Sequence, residues 1–283
     1  MNGETTSCRH YKSFFDRALE MPSMSKVVQE LITTFSDPKA NIDSIAKKIR
    51  LDQALSAKVL RMANSARYGA GRKVASIDSA IVTLGFDAVR TLVVASGVTG
   101  AFKKVPHLDM MAYWRETFLV ANISKSIAKH AGMDGEAAFT CGLMHSVGMV
   151  LMYLSDAENM HRIETLVKNG ANRVELERSQ FGYDYAEVGA ELAKRWNFPD
   201  NITHAIGQHT TVPTSTGIDP YALIVYLACN LVKATLHNVP KPQILGSFPT
   251  ELTQPLNLNL VALMEELDKL LAQEDDIDQV LAA

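Results

Sequence analysis

The stretch Cys141–Gly148, with the sequence CGLMHSVG, holds the residue of this chain that is best suited to chemistry. His145 ends a run of small apolar residues, and an imidazole can bind a metal ion, carry a proton or form a structural hydrogen bond. Ser146 follows where a His-Asp metal pair would have its carboxylate, and a neutral hydroxyl holds a cation poorly. We therefore favour a buried, hydrogen-bonded histidine over a catalytic one.

The spacing of the other histidines along the sequence does not by itself predict a metal site. His204 and His209 are five residues apart, about 140° around a helix, so they cannot face one ion together. His161 and Glu164 have HxxE spacing, but on a charged helix this spacing is typical of an exposed pair. Because a catalytic zinc ion needs about three protein ligands, a site here would have to be assembled from several helices.

The elements that position these residues are predicted to be helices. The chain has 283 residues, 47% of them hydrophobic, and helix-forming residues dominate, while glycine-rich turns at strand-like spacing are missing. Five short helices with tight connections are predicted between about residues 20 and 102. Residues 135–154 are predicted to form one central apolar helix. The fold class is therefore all-α, with two packed helical subdomains.

Composition shifts suggest where the chain divides. We predict an N-terminal extension over residues 1–19, a short helical bundle over 20–105 and a second helical subdomain over 106–239. Residues 240–283 are predicted to be a proline-rich linker followed by an amphipathic helix. The apolar residues predicted on one side of that helix are Leu260, Val261, Met264, Leu267 and Leu271. This face is expected to dock on its own chain, with a dimer contact as the alternative.

Charge and cysteine content exclude several classes of protein. The net charge is −3 and basic residues are scattered, so nucleic-acid binding is not expected. A helix-turn-helix-like pattern over residues 42–64 leaves DNA binding as a third hypothesis, which the apolar face of its second helix disfavours. Three cysteines without a CxxC pair favour reduced thiols in a cytoplasmic protein. No apolar run approaches the roughly 20 residues of a membrane span.

Several motifs, in a fixed order, resemble the HDOD family of signalling modules, which is related to the HD-domain phosphohydrolases. The motifs are Met21-Pro22, Asp37-Pro38, Asp52 through Asn64-Ser65-Ala66, and Ser76-Ile77 through Leu84-Gly85. The resemblance covers residues 20 to 212 and implies that the second subdomain is an HD-like bundle. Asn64 and Ser65 are expected to close a helix end with local hydrogen bonds. With Arg67, they are also candidates for a partner-binding surface.

The resemblance implies a pocket in which a metal site has been lost. Glu116, Ser146 and Tyr185 stand at three positions where catalytic relatives have a histidine, an aspartate and a histidine. Thr210 replaces the second of two adjacent histidines. The residues of this vestigial pocket are Glu116, His145, Ser146, Tyr185, His209 and Thr210. His145 is expected to bond to the backbone or to Tyr185. No catalytic residue is assigned and no cofactor is expected. If a divalent metal binds, its ligands would be Glu116, His145 and His209.

The resemblance and the replaced residues leave two hypotheses for the function. The favoured one is a non-catalytic HDOD regulator that acts by binding a signalling protein or a nucleotide-type small ligand, without a membrane partner. The alternative is a divergent HD-type metal-dependent phosphohydrolase acting on a phosphodiester or nucleotide, in which a metal ion would activate water. Bound metal and hydrolysis would distinguish the two.

Overall fold

The computed structural model describes residues 15, 22–35, 41–65, 68, 73–102, 104–211, 219–248, 252 and 256–271. Over these ranges the chain forms helices and turns without a β-strand, which confirms the all-α prediction. Arg67, a candidate surface residue, lies outside the described residues.

The N-terminal bundle has the five short helices predicted for it. They are α1 (Lys26–Phe35), α2 (Ile42–Ile49), α3 (Gln53–Ala63), α4 (Ile77–Leu84) and α5 (Phe86–Ala101). The side chains of Asn41, Asp52 and Ser76 each accept a hydrogen bond from a backbone N–H at the start of α2, α3 and α4. Gly85 turns the chain by 110° between α4 and α5 with φ of 81°, a conformation that glycine adopts without strain.

The described residues of the second bundle form eight helices, and the first of them is the longest. They are α6 (Met110–His130), α7 (Gly135–Met144), α8 (Val147–Ser155), α9 (Ala157–Lys168), α10 (Arg173–Phe181), α11 (Tyr185–Arg195), α12 (Asp200–Gln208) and α13 (Pro220–Leu236). The prediction of one unbroken helix over residues 135–154 is wrong, because a turn at His145 and Ser146 separates α7 from α8. At this turn, the side chains of His145 and Ser146 form polar contacts in the interior. The spacing of apolar residues in the sequence does not reveal such a turn.

The α7–α8 segment also corrects an expectation about apolar runs. Residues 135–155 are long and apolar enough to cross a membrane, although no such run was expected. In the structure, however, 89% of the apolar stretch is buried among other helices. Its composition therefore matches its place at the centre of the bundle.

One hydrophobic core joins the two subdomains. It runs from the α1–α5 bundle into α6, α7, α8, α11 and α12. Phe102, at the end of α5, contacts Trp114 and Trp196, with ring centroids 6.5 and 6.1 Å apart. Arg90 of α5 also pairs with Asp134, which precedes α7, at 3.2 Å. The N-terminal bundle therefore supports the helices that carry the candidate site.

The C-terminal part is more ordered than a linker. A helix, α14 (Lys241–Ser247), lies within the segment predicted to be a linker, and α15 (Leu260–Leu271) follows. The buried residues Leu263, Met264 and Leu267 of α15 share a hydrophobic cluster with α6 and α13, so docking on the same chain is confirmed. Val261 is 61% exposed, so its placement on the buried face is wrong. Successive residues of a helix are 100° apart, and Leu263, not Val261, lies on the buried face.

Candidate functional site

Two buried histidines meet where α7, α8, α11 and α12 converge. His145 lies in the turn between α7 and α8, and His209 follows the last turn of α12. Their side chains are 8% and 3% exposed, and their rings stand nearly perpendicular with centroids 5.4 Å apart. The structure therefore brings together the two histidines that the sequence singled out.

Backbone hydrogen bonds fix the tautomer of both rings. His145 Nδ1 lies 2.7 Å from the carbonyl oxygen of Gly142, and His209 Nδ1 lies 2.7 Å from that of Ile206. Because a carbonyl can only accept, each Nδ1 carries the hydrogen and each Nε2 keeps its lone pair. The Tyr185 hydroxyl, 3.1 Å from His209 Nε2, donates to that lone pair. The backbone partner expected for His145 is present, while Tyr185 bonds to His209 instead.

Neutral hydroxyl groups fill the position where a carboxylate would stand in an HD metal site. Ser146 Oγ donates to the Tyr113 hydroxyl oxygen over 3.1 Å and lies 3.4 Å from Thr117 Oγ1. All three side chains are buried, and burial raises the pKa of Tyr113 far above its usual range. The three hydroxyls therefore satisfy one another without a charge. We call the six residues His145, Ser146, Tyr185, His209, Tyr113 and Thr117 the histidine site.

Direct contacts between helix backbones hold the histidine site together. A Cβ atom added to Gly148, in the first turn of α8, would lie 2.0 Å from the carbonyl oxygen of Tyr185 and 2.5 Å from the nitrogen of Gly189. A Cβ atom on Gly142 would lie 2.7 Å from Cα of Ala121 in α6. Only glycine leaves room for these approaches. The sequence signal was a pair of glycines in an apolar segment, whose role it did not reveal.

Two more candidate residues, Glu116 and Thr210, lie toward the outside of the site, together with Cys229 of α13. Glu116 is exposed, yet enough protein surrounds its carboxyl for burial to raise its pKa, against the opposing effect of the Arg173 charge. Thr210 and Cys229 are half-buried, and burial raises the pKa of the Cys229 thiol to about 12. Within the described residues, no hydrogen bond or ion pair connects Glu116 to either histidine of the site.

The donor set does not fit a metal ion. In the part of the chain that the structure describes, no group of three or more His, Cys, Asp or Glu residues is arranged to hold one. Tyr185 already occupies the lone pair of His209 Nε2, and Glu116 lies at the exposed edge. A metal bound by Glu116, His145 and His209 would need these side chains to move.

A buried ionic cluster behind Tyr185 was not anticipated from the sequence. Glu177 of α10 is fully buried, and its Oε2 accepts the backbone N–H of Tyr185 over 2.8 Å. Arg173 pairs with Glu164 of α9 and lies 3.5 Å from Glu177 Oε1. Burial raises the pKa of Glu177 to about 7, against the opposing charge of Arg173. The i, i+4 spacing of Arg173 and Glu177 was the available signal, but it did not reveal their burial.

The cluster fixes the start of α11 and so the position of Tyr185. Asp184 is the N-cap of α11 and forms a capping box with Glu187. Arg178 of α10 pairs with Asp184 at 2.7 Å. The Asp184 carboxylate is therefore held by the start of α11 and by Arg178.

Asn64, on the other candidate surface, has a structural role. Its Nδ2 donates to the carbonyl oxygens of Leu60 and Val74, both at 2.8 Å, and its Oδ1 accepts the Val74 N–H. The side chain thus ties the end of α3 to the following loop, as expected for a helix terminus. Ser65 is half-buried beside it. A partner-binding role for this surface stays a prediction.

The two buried histidines predict a loss of stability in mild acid. Burial lowers the pKa of His145 to about 3, with the His209 ring adding to this effect, and burial lowers the pKa of His209 to about 4. Both would titrate near pH 6.5 in the unfolded chain. As the pH falls below about 6.5, the unfolded state binds protons that the folded state excludes, so each histidine costs up to about 1.4 kcal/mol per pH unit.

Urea unfolding measured from neutral to mildly acidic pH checks this prediction. The variant His209→Gln should show a shallower fall in unfolding free energy with pH than the unmodified chain. The matched control is His204→Gln, because His204 is exposed on the same helix, and it should leave the slope unchanged. Equal slopes for the unmodified chain and His209→Gln would contradict a neutral, buried pair.

The chain is similar to proteins of one known family and to several solved structures. A family model described as HDOD domain matches residues 21–212. A structure from Shewanella amazonensis SB2B, named as a candidate phosphohydrolase, is 32% identical with a TM-score of 0.79, covering 95% of this chain and 98% of that one. An HDOD domain protein of unknown function from Geobacter sulfurreducens is 26% identical with a TM-score of 0.78, covering 95% and 96%.

A curated relative is longer than this chain. A protein of Treponema pallidum (strain Nichols), described as uncharacterized, is 24% identical over 213 residues. The match covers 74% of this chain and 41% of that protein, so the chain spans about two fifths of the relative's length.

Proposed function

This chain belongs to the HDOD domain family, and on that premise we propose that it is a non-catalytic regulatory protein. It acts by binding a signalling protein or a small ligand through its HD-like bundle, and we place it in the cytoplasm. The observation that carries the proposal is the set of neutral hydrogen bonds in the histidine site. Hydroxyl groups replace the carboxylate at Ser146, and the Tyr185 hydroxyl engages His209 Nε2.

These contacts argue against phosphoester hydrolysis on chemical grounds. Metal-dependent hydrolysis needs a cation that activates water and neutralises the charge that develops in the transition state. Within the described residues, no ligand set for such a cation is assembled. His145 could accept a proton at Nε2, but burial lowers its pKa to about 3, which makes it a weak base.

One observation favours the alternative, a divergent phosphohydrolase. Both histidines donate Nδ1–H to a backbone carbonyl, the arrangement that metal-binding histidines usually have. The name of the Shewanella amazonensis protein points to the same chemistry for that protein. The two functions therefore need a direct test.

Elemental analysis of the full chain, purified without added metal, provides that test together with a hydrolysis assay. The assay would use bis(p-nitrophenyl) phosphate with added Mn²⁺ or Zn²⁺. We expect substoichiometric metal and no hydrolysis above the level of a His145→Ala variant. A stoichiometric metal with hydrolysis that is lost in His145→Ala would overturn the proposal.

A further inference from the structure

We propose that α15 occupies, within its own chain, a docking surface for a helix of a signalling partner. This surface, which we call the α6 face, is the side of α6 that carries Ile123, Ser126, Ile127 and His130. The partner is an amphipathic helix with a carboxylate on its apolar side, and it binds when α15 is displaced. The inference rests on the proposed function, because it names the surface through which the chain would bind a signalling protein.

The α6 face combines two apolar and two polar side chains. Its four residues have i, i+3, i+4 and i+7 spacing, so they lie side by side along the helix. Ile123 and Ile127 are 1% and 0% exposed, in a hydrophobic cluster that also includes residues of α13 and α15. Ser126 is buried as well, while His130 is exposed in the last turn of α6. The face therefore offers an apolar surface with hydrogen-bond donors beside it.

The contacts of α15 show which chemistry the α6 face accepts. Three side chains of α15 are buried in the same hydrophobic cluster, namely Leu263, Met264 and Leu267. Glu266 Oε2 accepts a hydrogen bond from Ser126 Oγ over 2.7 Å and one from His130 Nε2 over 3.0 Å. Helices that bind to a groove present their anchor residues at such spacings. A partner helix for this face would therefore carry apolar residues at i, i+1 and i+4 and a carboxylate at i+3.

Charge at the end of α6 selects an acidic helix. Lys129 and His130 are the basic residues of its last turn, and the Glu266 carboxylate pairs with His130 there. The paired side chains are 29% and 42% exposed, so the pair contributes little to affinity. It still disfavours a helix with a basic residue at that position, because like charges would then meet.

The position of α15 at the edge of the fold allows it to be displaced. Its buried residues belong to a second cluster, separate from the core that joins the N-terminal bundle to α6, α7, α8, α11 and α12. It also lies beyond residues 21–212, which the family model matches. An element with few buried apolar contacts opens at a lower free energy than the core does. The HD-like bundle can therefore stay folded while α15 opens.

A helix docked on its own chain makes partner binding conditional. Because α15 is covalently attached, its effective concentration at the α6 face is high. The apparent affinity for a partner is reduced to the fraction of chains in which the face is open. The docked α15 is therefore an autoinhibitory contact, which a matching helix has to displace.

Hydrogen exchange of the full chain, followed by mass spectrometry, tests the opening of α15. We expect the amides of α15 to exchange at least a hundredfold faster than those of α6 and α13, because α15 opens locally. Equal protection of α15 and α6 would overturn the inference, since α15 would then open only when the whole fold unfolds.

A labelled peptide with the sequence of residues 256–273 tests the docking surface, with fluorescence anisotropy as the readout. The full-chain variant Leu267→Asp places a charge on the buried side of α15 and should bind the peptide at least tenfold more tightly than the unmodified chain. The matched control is Val261→Asp, because Val261 is 61% exposed on the same helix, and it should leave the peptide affinity unchanged. A peptide with Glu266→Lys should bind the Leu267→Asp chain at least tenfold more weakly than the unmodified peptide.

Three further results would each overturn the inference. Equal or absent binding of the peptide by the unmodified chain and Leu267→Asp would show that α15 does not compete for the α6 face. Global unfolding of Leu267→Asp, measured by circular dichroism, would show that α15 is an integral part of the core. A dimer that light scattering detects for the unmodified chain and that Leu267→Asp dissociates would make a second copy the occupant. These results leave the proposed function intact, whereas metal-dependent hydrolysis would remove the proposed function itself.

Discussion

Replacing Gly148 by alanine is expected to destabilise the protein by roughly 3 kcal/mol or more, because the new methyl group would overlap backbone atoms. The added Cβ would lie 2.0 Å from the Tyr185 carbonyl oxygen and 2.5 Å from the Gly189 nitrogen. Backbone cannot rotate away as a flexible side chain can, so α8 and α11 would have to separate. Because α11 carries Tyr185, its hydrogen bond to His209 should be lost as well.

Urea unfolding and the NMR signal of the His209 ring measure the two parts of this prediction. Gly100→Ala is the matched control, since Gly100 lies in α5 and a Cβ there meets nothing within 4 Å. Alanine is favoured over glycine inside a helix by about 1 kcal/mol, so the control should keep or raise stability. A Gly148→Ala protein as stable as the control would contradict the close α8–α11 contact.

Removing the guanidinium by Arg173→Ala is expected to cost about 3 kcal/mol, because it leaves the fully buried Glu177 carboxylate without its counter-charge. The pKa of Glu177 is already raised to about 7, and losing Arg173 would raise it further. The folded variant can then relieve the penalty by taking up a proton. The stability loss should therefore be larger at mildly alkaline pH than at mildly acidic pH.

A double variant and a surface control make the second prediction specific. Arg173→Ala combined with Glu177→Gln should recover part of the lost stability at alkaline pH, because no buried charge is left unpaired. Arg195→Ala breaks a more exposed pair with Glu191 and should cost less than about 1 kcal/mol. Unfolding free energies that show no recovery in the double variant would mean that Arg173 acts through packing and not through charge.

Local signals in the sequence were enough to predict the helices and many of their ends. The side chains of Asn41, Asp52 and Ser76 cap helices, and such caps are a local signal because they join a side chain to the backbone N–H three residues away. The ordered motifs between residues 20 and 212 led to the HDOD family, and the family model matches 21–212. His145 and His209 were also identified, because both stand in recognisable motifs.

The contacts that define the chemistry of the site depended on tertiary structure. Tyr185 bonds to His209 across 24 residues, and Ser146 bonds to Tyr113 across 33. Such partners are decided by shifts of about an ångström between packed helices, which residue type and spacing do not encode. The same holds for Gly148, whose importance comes from the backbone that α11 places against it. The sequence therefore determined which residues could do chemistry, while helix packing decided that two neutral imidazoles stand there, with the Tyr185 hydroxyl bonded to one of them.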